Sequence, residues 1–180
     1  MSSRPARLAA ALSGMLLAAL AACATAGPRL VDFSSRSAPA PDQITTAQGI
    51  HLVPNTGVRD TLLERAVRRR LAAALAEAGF QLEPEREADV YVVLDVRRDA
   101  RPEASATGKP EWEALLTVLA VDGATYRRTN SLATLWRAEA RTRGPESSVE
   151  HIADALVQPT MAFFGRTSDG AVRVEVATGG

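Results

Sequence analysis

Residues 89–96 read DVYVVLDV and are the clearest strand in the sequence. The apolar residues Val90, Val92, Leu94 and Val96 fall at every second position, so their side chains point to one face of a sheet. The residues between them point to the opposite face. This alternation predicts a β-strand, and the flanking sequence predicts the elements that pack with it.

Helices and further strands are predicted on both sides of this strand. The predicted elements, in chain order, are a strand at 48–53, a helix that runs to about 78, strands at 89–96, 111–121 and 132–142, a helix that begins near 149 and contains Pro159, and a strand at 172–176. The first helix has possible N-caps at Asn55, Thr56 and Asp60, and Thr61 with Glu64 could form a capping box. Apolar residues recur at helical spacing in both helices. We therefore expect the α/β (α+β) class: a two-layer sandwich in which two helices cover a mixed or mainly antiparallel sheet of about five strands.

The composition excludes several classes of function. The 21 basic and 21 acidic residues balance, whereas nucleic-acid binding requires a positive excess, so we expect no nucleic-acid partner. The single cysteine excludes an internal disulfide and a multi-cysteine metal site. His51 and His151 do not occur in a metal-ligand spacing, and no phosphate-binding or nucleophile-elbow motif is present. The sequence therefore predicts no cofactor, no metal and no enzymatic activity.

The first 22 residues have the pattern of a secretory signal peptide. Arg4 and Arg7 are followed by an uncharged apolar run from Leu8 to Leu20. This run is shorter than the roughly 20 apolar residues that span a bilayer, and it matches the apolar region of a signal peptide. We therefore expect residues 1–22 to be removed.

The signal ends in LAAC at residues 20–23, which looks like a bacterial lipobox. In signals of that kind the cysteine thiol takes a diacylglycerol, so Cys23 is the predicted lipidation site and the membrane is a predicted partner. Ala24 follows the cysteine; an Asp there tends to retain lipoproteins in the inner membrane, so its absence favours the outer membrane. The alternative is a plain secretory signal in which Cys23 has no role.

A tether is predicted between the anchor and the domain. Residues 23–47 comprise the lipidated cysteine and a stretch rich in Pro and Ser, which is typical of a flexible linker. Fully extended, such a linker reaches roughly 75 Å. The alternative is that residues 29–33 form an edge strand. Residues 48–180 are predicted to form one periplasmic α/β domain.

Several of these segments resemble a family of uncharacterised lipoproteins of Gram-negative bacteria that carry a domain of unknown function. The resemblance is carried by AGFQL at 78–82 with ADVYVV at 88–93, by LWRAEA at 135–140, and by FFG at 163–165 before a last Val-rich strand. It covers roughly residues 50–176. The resemblance implies an envelope location and a small α/β domain. It does not indicate which activity the domain has.

A basic patch is predicted on the first helix. Arg65, Arg68 and Arg69 lie close together in the sequence and could dock anionic lipid or an acidic envelope protein. The alternative is an ordinary solvated helix face, on which Glu64 and Arg68 form an i,i+4 ion pair.

The two tryptophans are candidate binding aromatics. Trp112 and Trp136 both fall in predicted strands. Tryptophan is enriched at binding hot spots, so either could anchor a partner. The alternative for both is burial in the core.

These features predict a lipid-anchored outer-membrane lipoprotein that faces the periplasm. We expect a non-catalytic interaction or accessory module in cell-envelope organisation, with an unknown envelope protein as its partner. One alternative is a small-molecule or lipid-binding protein with a pocket between sheet and helices. Another is a hydrolase in which Asp95 and Glu139 face each other within one cleft.

Overall fold

A computed structural model describes residues 29–38, 43–53, 61–101, 111–145 and 148–177. The predicted signal peptide and the predicted lipidation site, Cys23, lie outside the described residues.

Across the described residues the chain forms seven strands and three helices. The strands are β1 (Arg29–Ser37), β2 (Gly49–Leu52), β3 (Gln81–Leu82), β4 (Val90–Arg101), β5 (Glu111–Asp122), β6 (Thr134–Pro145) and β7 (Val172–Val176). The helices are α1 (Leu62–Glu77), α2 (Gly123–Thr129) and α3 (Val149–Ala162). The predicted α+β class is confirmed, but the predicted number of about five strands and two helices was wrong.

All seven strands belong to one mixed sheet, in the order β3-β2-β4-β5-β6-β1-β7. β2 is parallel to both β3 and β4, whereas every pair from β4 to β7 is antiparallel. Parallel strands require a crossover connection, and α1 supplies the one between β2 and β3. The three long strands β4, β5 and β6 form the centre of the sheet.

One face of the sheet is covered by α1 and α3. The apolar stripe of α1 comprises Leu63, Val67, Leu71 and Leu75, all of which are buried. It packs in one continuous core with the inward residues of the strands and with α3. The helix begins at Thr61, whose side-chain oxygen accepts a hydrogen bond from the Glu64 amide.

The fold is not the clear two-layer sandwich that the sequence predicts, because a third helix packs near one end of the sheet. The sequence pattern indicates a loop after Asp122, but this segment forms α2. Asp122 accepts a hydrogen bond from the Thr125 amide, and Asn130 ends the helix with a positive φ of 54°. Hydrogen bonding by Thr125 also lowers the pKa of Asp122. Seven residues are too few to display a helical apolar period, so local capping explains this helix.

The predicted tether over residues 23–47 was wrong for residues 29–37, which form β1. Val31 and Phe33 are buried, and they alternate with the exposed Leu30 and Asp32. β1 lies between β6 and β7, so it is not the edge strand of the alternative interpretation either. The high Pro and Ser content of the surrounding segment hides this short alternation in the sequence.

Replacement of Phe33 tests whether β1 is part of the folded domain. Phe33 is 1% exposed and stacks on Phe163 with ring centroids 5.1 Å apart. Phe33→Ala is expected to lower the free energy of unfolding by about 3–5 kcal/mol in urea denaturation. The control is Leu30→Ala on the same strand, where Leu30 is 52% exposed; it should change stability by less than about 1 kcal/mol. Equal, small effects of both substitutions would contradict the placement of β1.

Candidate functional site

The predicted basic patch on α1 is largely neutralised by neighbouring acids. Arg69 forms an ion pair with Glu150 at 2.7 Å, which links α1 to α3. Arg68 donates a hydrogen bond to the Val53 carbonyl at 3.1 Å and pairs with Glu64 at 3.3 Å. Arg65 is exposed. The contacts of Arg68 and Arg69 therefore have a structural role, in which they hold α1 against its neighbours.

The prediction of Trp136 as an exposed binding aromatic was wrong. Its side chain is fully buried, and its Nε1 donates a hydrogen bond to the Arg166 carbonyl at 2.9 Å. The indole also meets the Phe164 ring edge-on at 5.0 Å between centroids. Position 136 belongs to the inward-facing positions of β6, so the indole is part of the core.

Trp112 lies in a different environment, at the start of β5. It is half-buried, and the Arg98 guanidinium lies 4.4 Å from the centre of its ring in a cation–π contact. In the sheet register Trp112 lies opposite Ala100 of β4 and Gly144 of β6. A Cβ placed on Gly144 would be 3.9 Å from Arg29 Nη1, so the Arg29 guanidinium lies beside Gly144, the β6 residue that pairs with Trp112. We call Arg29, Arg98 and Trp112 the arginine–tryptophan end.

The two arginines of this end carry like charges without acidic partners. Burial lowers the pKa of Arg29, and the positive charge of Arg98 lowers it further. Within the described residues neither guanidinium forms an ion pair with a carboxylate. Two buried donors, Arg98 Nε and Trp112 Nε1, also have no acceptor there. The site is therefore rich in donors and positive charge, which are the groups that bind anionic oxygen.

Side-chain alternation explains why no acid neutralises this end. Arg98 and Trp112 occupy even-numbered positions on the helix-covered face of β4 and β5. The nearby acids Asp99, Glu111 and Glu113 occupy odd-numbered positions, whose side chains point to the opposite face. Arg98 thus occupies the next position of the alternating apolar series that ends at Val96. A charged residue at a position of this series was the signal in the sequence for this site.

The opposite face of the sheet carries half-buried apolar residues among ion pairs. Val93, Leu115, Thr117 and Leu119 form what we call the open face, on which α2 is the one described helix that packs. The arginines that contact Glu113 lie beside this surface at 2.6, 3.3 and 3.2 Å; they are Arg101, Arg141 and Arg143. The surface combines apolar area with balanced charge, as protein interfaces do.

The two carboxylates considered for hydrolysis do not meet in a cleft. Asp95 and Glu139 are separated by Thr117 of β5 in the sheet register. Each forms an ion pair at 2.7 Å with an arginine two residues away on its own strand, Arg97 for Asp95 and Arg137 for Glu139. Both belong to the surface around the open face.

Two grooves are described, and neither lies between the sheet and the helices. One, of about 560 Å³, is lined by Ser34, Arg36 and Arg137 and by the segment that precedes β7. The other, of about 300 Å³, is lined by side chains of α1 and α3 such as Ala73 and Met161. Among the described residues no group of three or more His, Cys, Asp or Glu could hold a metal ion. No described helix is both long enough and apolar enough to span a membrane.

Comparison with protein families and with curated proteins finds no match. The solved structures that share the fold include the following two. A PelC dodecamer from Paraburkholderia phytofirmans has a TM-score of 0.53 at 15% identity, over 77% of this chain and 99% of that one. A PDZ domain protein from Parabacteroides distasonis has a TM-score of 0.52 at 10% identity, over 83% of this chain and 39% of that one. At these identities the likeness shows the fold alone.

Replacement of Arg98 tests the electrostatic strain of the arginine–tryptophan end. Arg98→Met removes a buried donor without an acceptor and a charge that repels Arg29, while it keeps a long side chain over Trp112. We expect the free energy of unfolding to rise by about 1 kcal/mol in urea denaturation, since the gain exceeds the lost cation–π contact. Added salt should stabilise the wild type more than the variant.

The matched control is Arg97→Met, one residue away on the opposite face. Arg97 is paired with the exposed Asp95, and an exposed ion pair contributes little to stability, so this substitution should leave the urea midpoint close to that of the wild type. Strong destabilisation by Arg98→Met would show that the guanidinium is satisfied in the folded protein.

Proposed function

We propose that this chain is a lipid-anchored outer-membrane lipoprotein that faces the periplasm and acts as a non-catalytic interaction or accessory module in cell-envelope organisation. The observation that carries the proposal is LAAC at residues 20–23, which places the single cysteine of the chain directly after a signal-like apolar run. Two or three acyl chains on Cys23 would hold the protein stably in a bilayer.

The open face supports the interaction role. Leu115 and Leu119 lie on the same face of the central strand β5, and both remain partly accessible. The ion pairs around them supply a polar rim, which is the usual anatomy of a protein–protein interface. We propose this face as the docking surface for an envelope protein.

A second copy of the chain is the first partner to examine. The PelC structure, which shares the fold, is a dodecamer. Light scattering on the purified, detergent-solubilised protein separates self-association from binding of a different protein.

The alternative of a small-molecule or lipid-binding protein has less support. The space between sheet and helices is filled by buried side chains, among them Trp136, Leu71 and Leu156. A ligand there would have to displace well-packed core residues, which protein interiors resist.

Replacement of Cys23 tests the lipid anchor. Cys23→Ala removes the thiol that accepts the diacylglycerol. We expect loss of metabolic labelling with a radioactive or alkyne fatty acid, and accumulation of uncleaved or mislocalised precursor on gels of fractionated cells. Cys23→Ser is the conservative comparison and should behave in the same way. Unchanged labelling in either variant would refute the anchor.

A paired substitution tests the open face. Leu115→Gln with Leu119→Gln removes apolar contact area but keeps side-chain size, so recovery of crosslinked partners from intact cells should fall several-fold. The matched control is Leu62→Gln with Leu132→Gln, at positions that are 68% and 56% exposed and lie elsewhere. Thermal denaturation checks that both variants stay folded. Equal recovery from the two variants would exclude the open face as the docking surface.

A further inference from the structure

We propose that the arginine–tryptophan end docks onto the anionic phosphate headgroups of the bilayer that holds the lipid of Cys23. This inference rests on the proposed lipid anchor and adds an orientation and a specific contact to it. The residues concerned are Arg29, Arg98 and Trp112, which had no role in the open face or in the core.

The proposed anchor and the sheet are separated by a short stretch of chain. β1 begins at Arg29, six residues after Cys23. Six residues span at most about 20 Å even when fully extended. The tether predicted over residues 23–47 would have allowed several times that reach. The start of β1 is therefore held close to the membrane surface.

The strand register shows which end of the sheet lies beside the start of β1. Val31 of β1 pairs with Thr142 of β6, and Gly144 pairs with Trp112 of β5, which in turn pairs with Ala100 of β4. The start of β1 therefore lies level with the end of β6, the start of β5 and the end of β4. The arginine–tryptophan end is at the same edge of the domain as the anchor.

The side chains of that end suit the binding of phosphate. Phosphate oxygens accept hydrogen bonds from guanidinium groups in bidentate geometry, and Arg is well suited to such contacts. A phosphate would also relieve the repulsion between Arg29 and Arg98, which have no carboxylate partner among the described residues. Trp112 fits the same environment, because tryptophan is enriched at the headgroup level of membranes.

The other basic surfaces are less suited to this contact. Arg68 and Arg69 of α1 are already paired with acids. Around the open face, Glu113, Glu139 and Asp32 pair with the arginines beside them. The helix-covered side of the sheet end differs, since its described strand residues include arginines and no acid.

The experiment uses the lipidated protein reconstituted into vesicles, with tryptophan fluorescence as the readout. Vesicles of phosphatidylcholine, with or without phosphatidylglycerol, carry a spin label on a fraction of the headgroups. The label quenches an indole at the headgroup level, while the buried Trp136 reports on folding. We expect clear quenching in the anionic vesicles and its loss in Trp112→Phe.

The charge requirement is tested with Arg29→Gln/Arg98→Gln. Each arginine beside an anionic surface contributes about fivefold, so the double variant should lower the equilibrium constant for docking by roughly 25-fold and abolish most of the quenching. The matched control, Arg36→Gln/Arg137→Gln, removes two arginines that lie opposite each other in the register of β1 and β6, seven residues along β1 from Arg29. The control should quench like the wild type.

The outcomes separate this inference from the anchor on which it rests. Protein that fails to float with the vesicles refutes the anchor. Protein that floats, but whose Trp112 is not quenched or is quenched equally with and without phosphatidylglycerol, refutes the docking while the anchor stands. An equal loss of quenching in the control variant also overturns the proposal. A Trp112 response to inorganic phosphate alone, equal to that to anionic vesicles, would identify a soluble-anion site instead.

Discussion

The antiparallel pairing of β1 with β6 fixes the position of Arg29 at one end of the sheet. The proposed orientation of the domain at the membrane depends on this pairing. The register matches seven residue pairs, from Val31 with Thr142 to Ser37 with Trp136. It inserts an N-terminal segment between β6 and β7, both of which lie more than 90 residues further along the chain. Burial of Val31 and Phe33 offsets the entropy of closing such a long loop. Any constraint on residue 29 is consequently transmitted to the central strands.

Period-two alternation explains how one sheet carries two different surfaces. In β5 the even positions from Ala114 to Ala120 are buried under the helices, and the odd positions from Leu115 to Leu119 line the open face. A shift of one residue in register would exchange the two sets of side chains, so the apolar core and the ion pairs enforce the same register. The Asp95–Arg97 and Glu139–Arg137 ion pairs beside the open face are exposed, and exposed ion pairs contribute little to stability.

The parts of the fold that the sequence predicts are the elements long enough to display a period. The alternation in β4 and the apolar stripe of α1 each extend over several repeats, and the structure has both elements. β3 has two residues and α2 has seven, and neither length shows a period. β3 forms because α1 returns the chain beside β2, which is a tertiary effect that a local pattern does not contain.

The candidate site was predictable in part, for a related reason. Trp112 was identified from its residue type, but Arg29 and Arg98 come from strands that are distant in sequence. Their proximity depends on a sheet order in which β4 and β1 lie on either side of β5 and β6. The arginine patch of α1 was the more visible signal because its members are sequential. The structure pairs Arg68 and Arg69 with acids from their own and a neighbouring helix.

The residue types of the arginine–tryptophan end are in conflict with the stability of the fold. An arginine at position 98 continues the apolar face of β4, where an uncharged side chain of similar length would avoid both an unsatisfied donor and the repulsion from Arg29. Natural sequences tend to keep such conflicts where a function requires them, since folded proteins are otherwise locally consistent. A phosphate at this edge would convert the repulsive pair into a bridged one. The conflict therefore argues for an anion outside the chain, and under the proposed lipidation of Cys23 the six-residue link to Arg29 would bring the phosphates of a bilayer within reach.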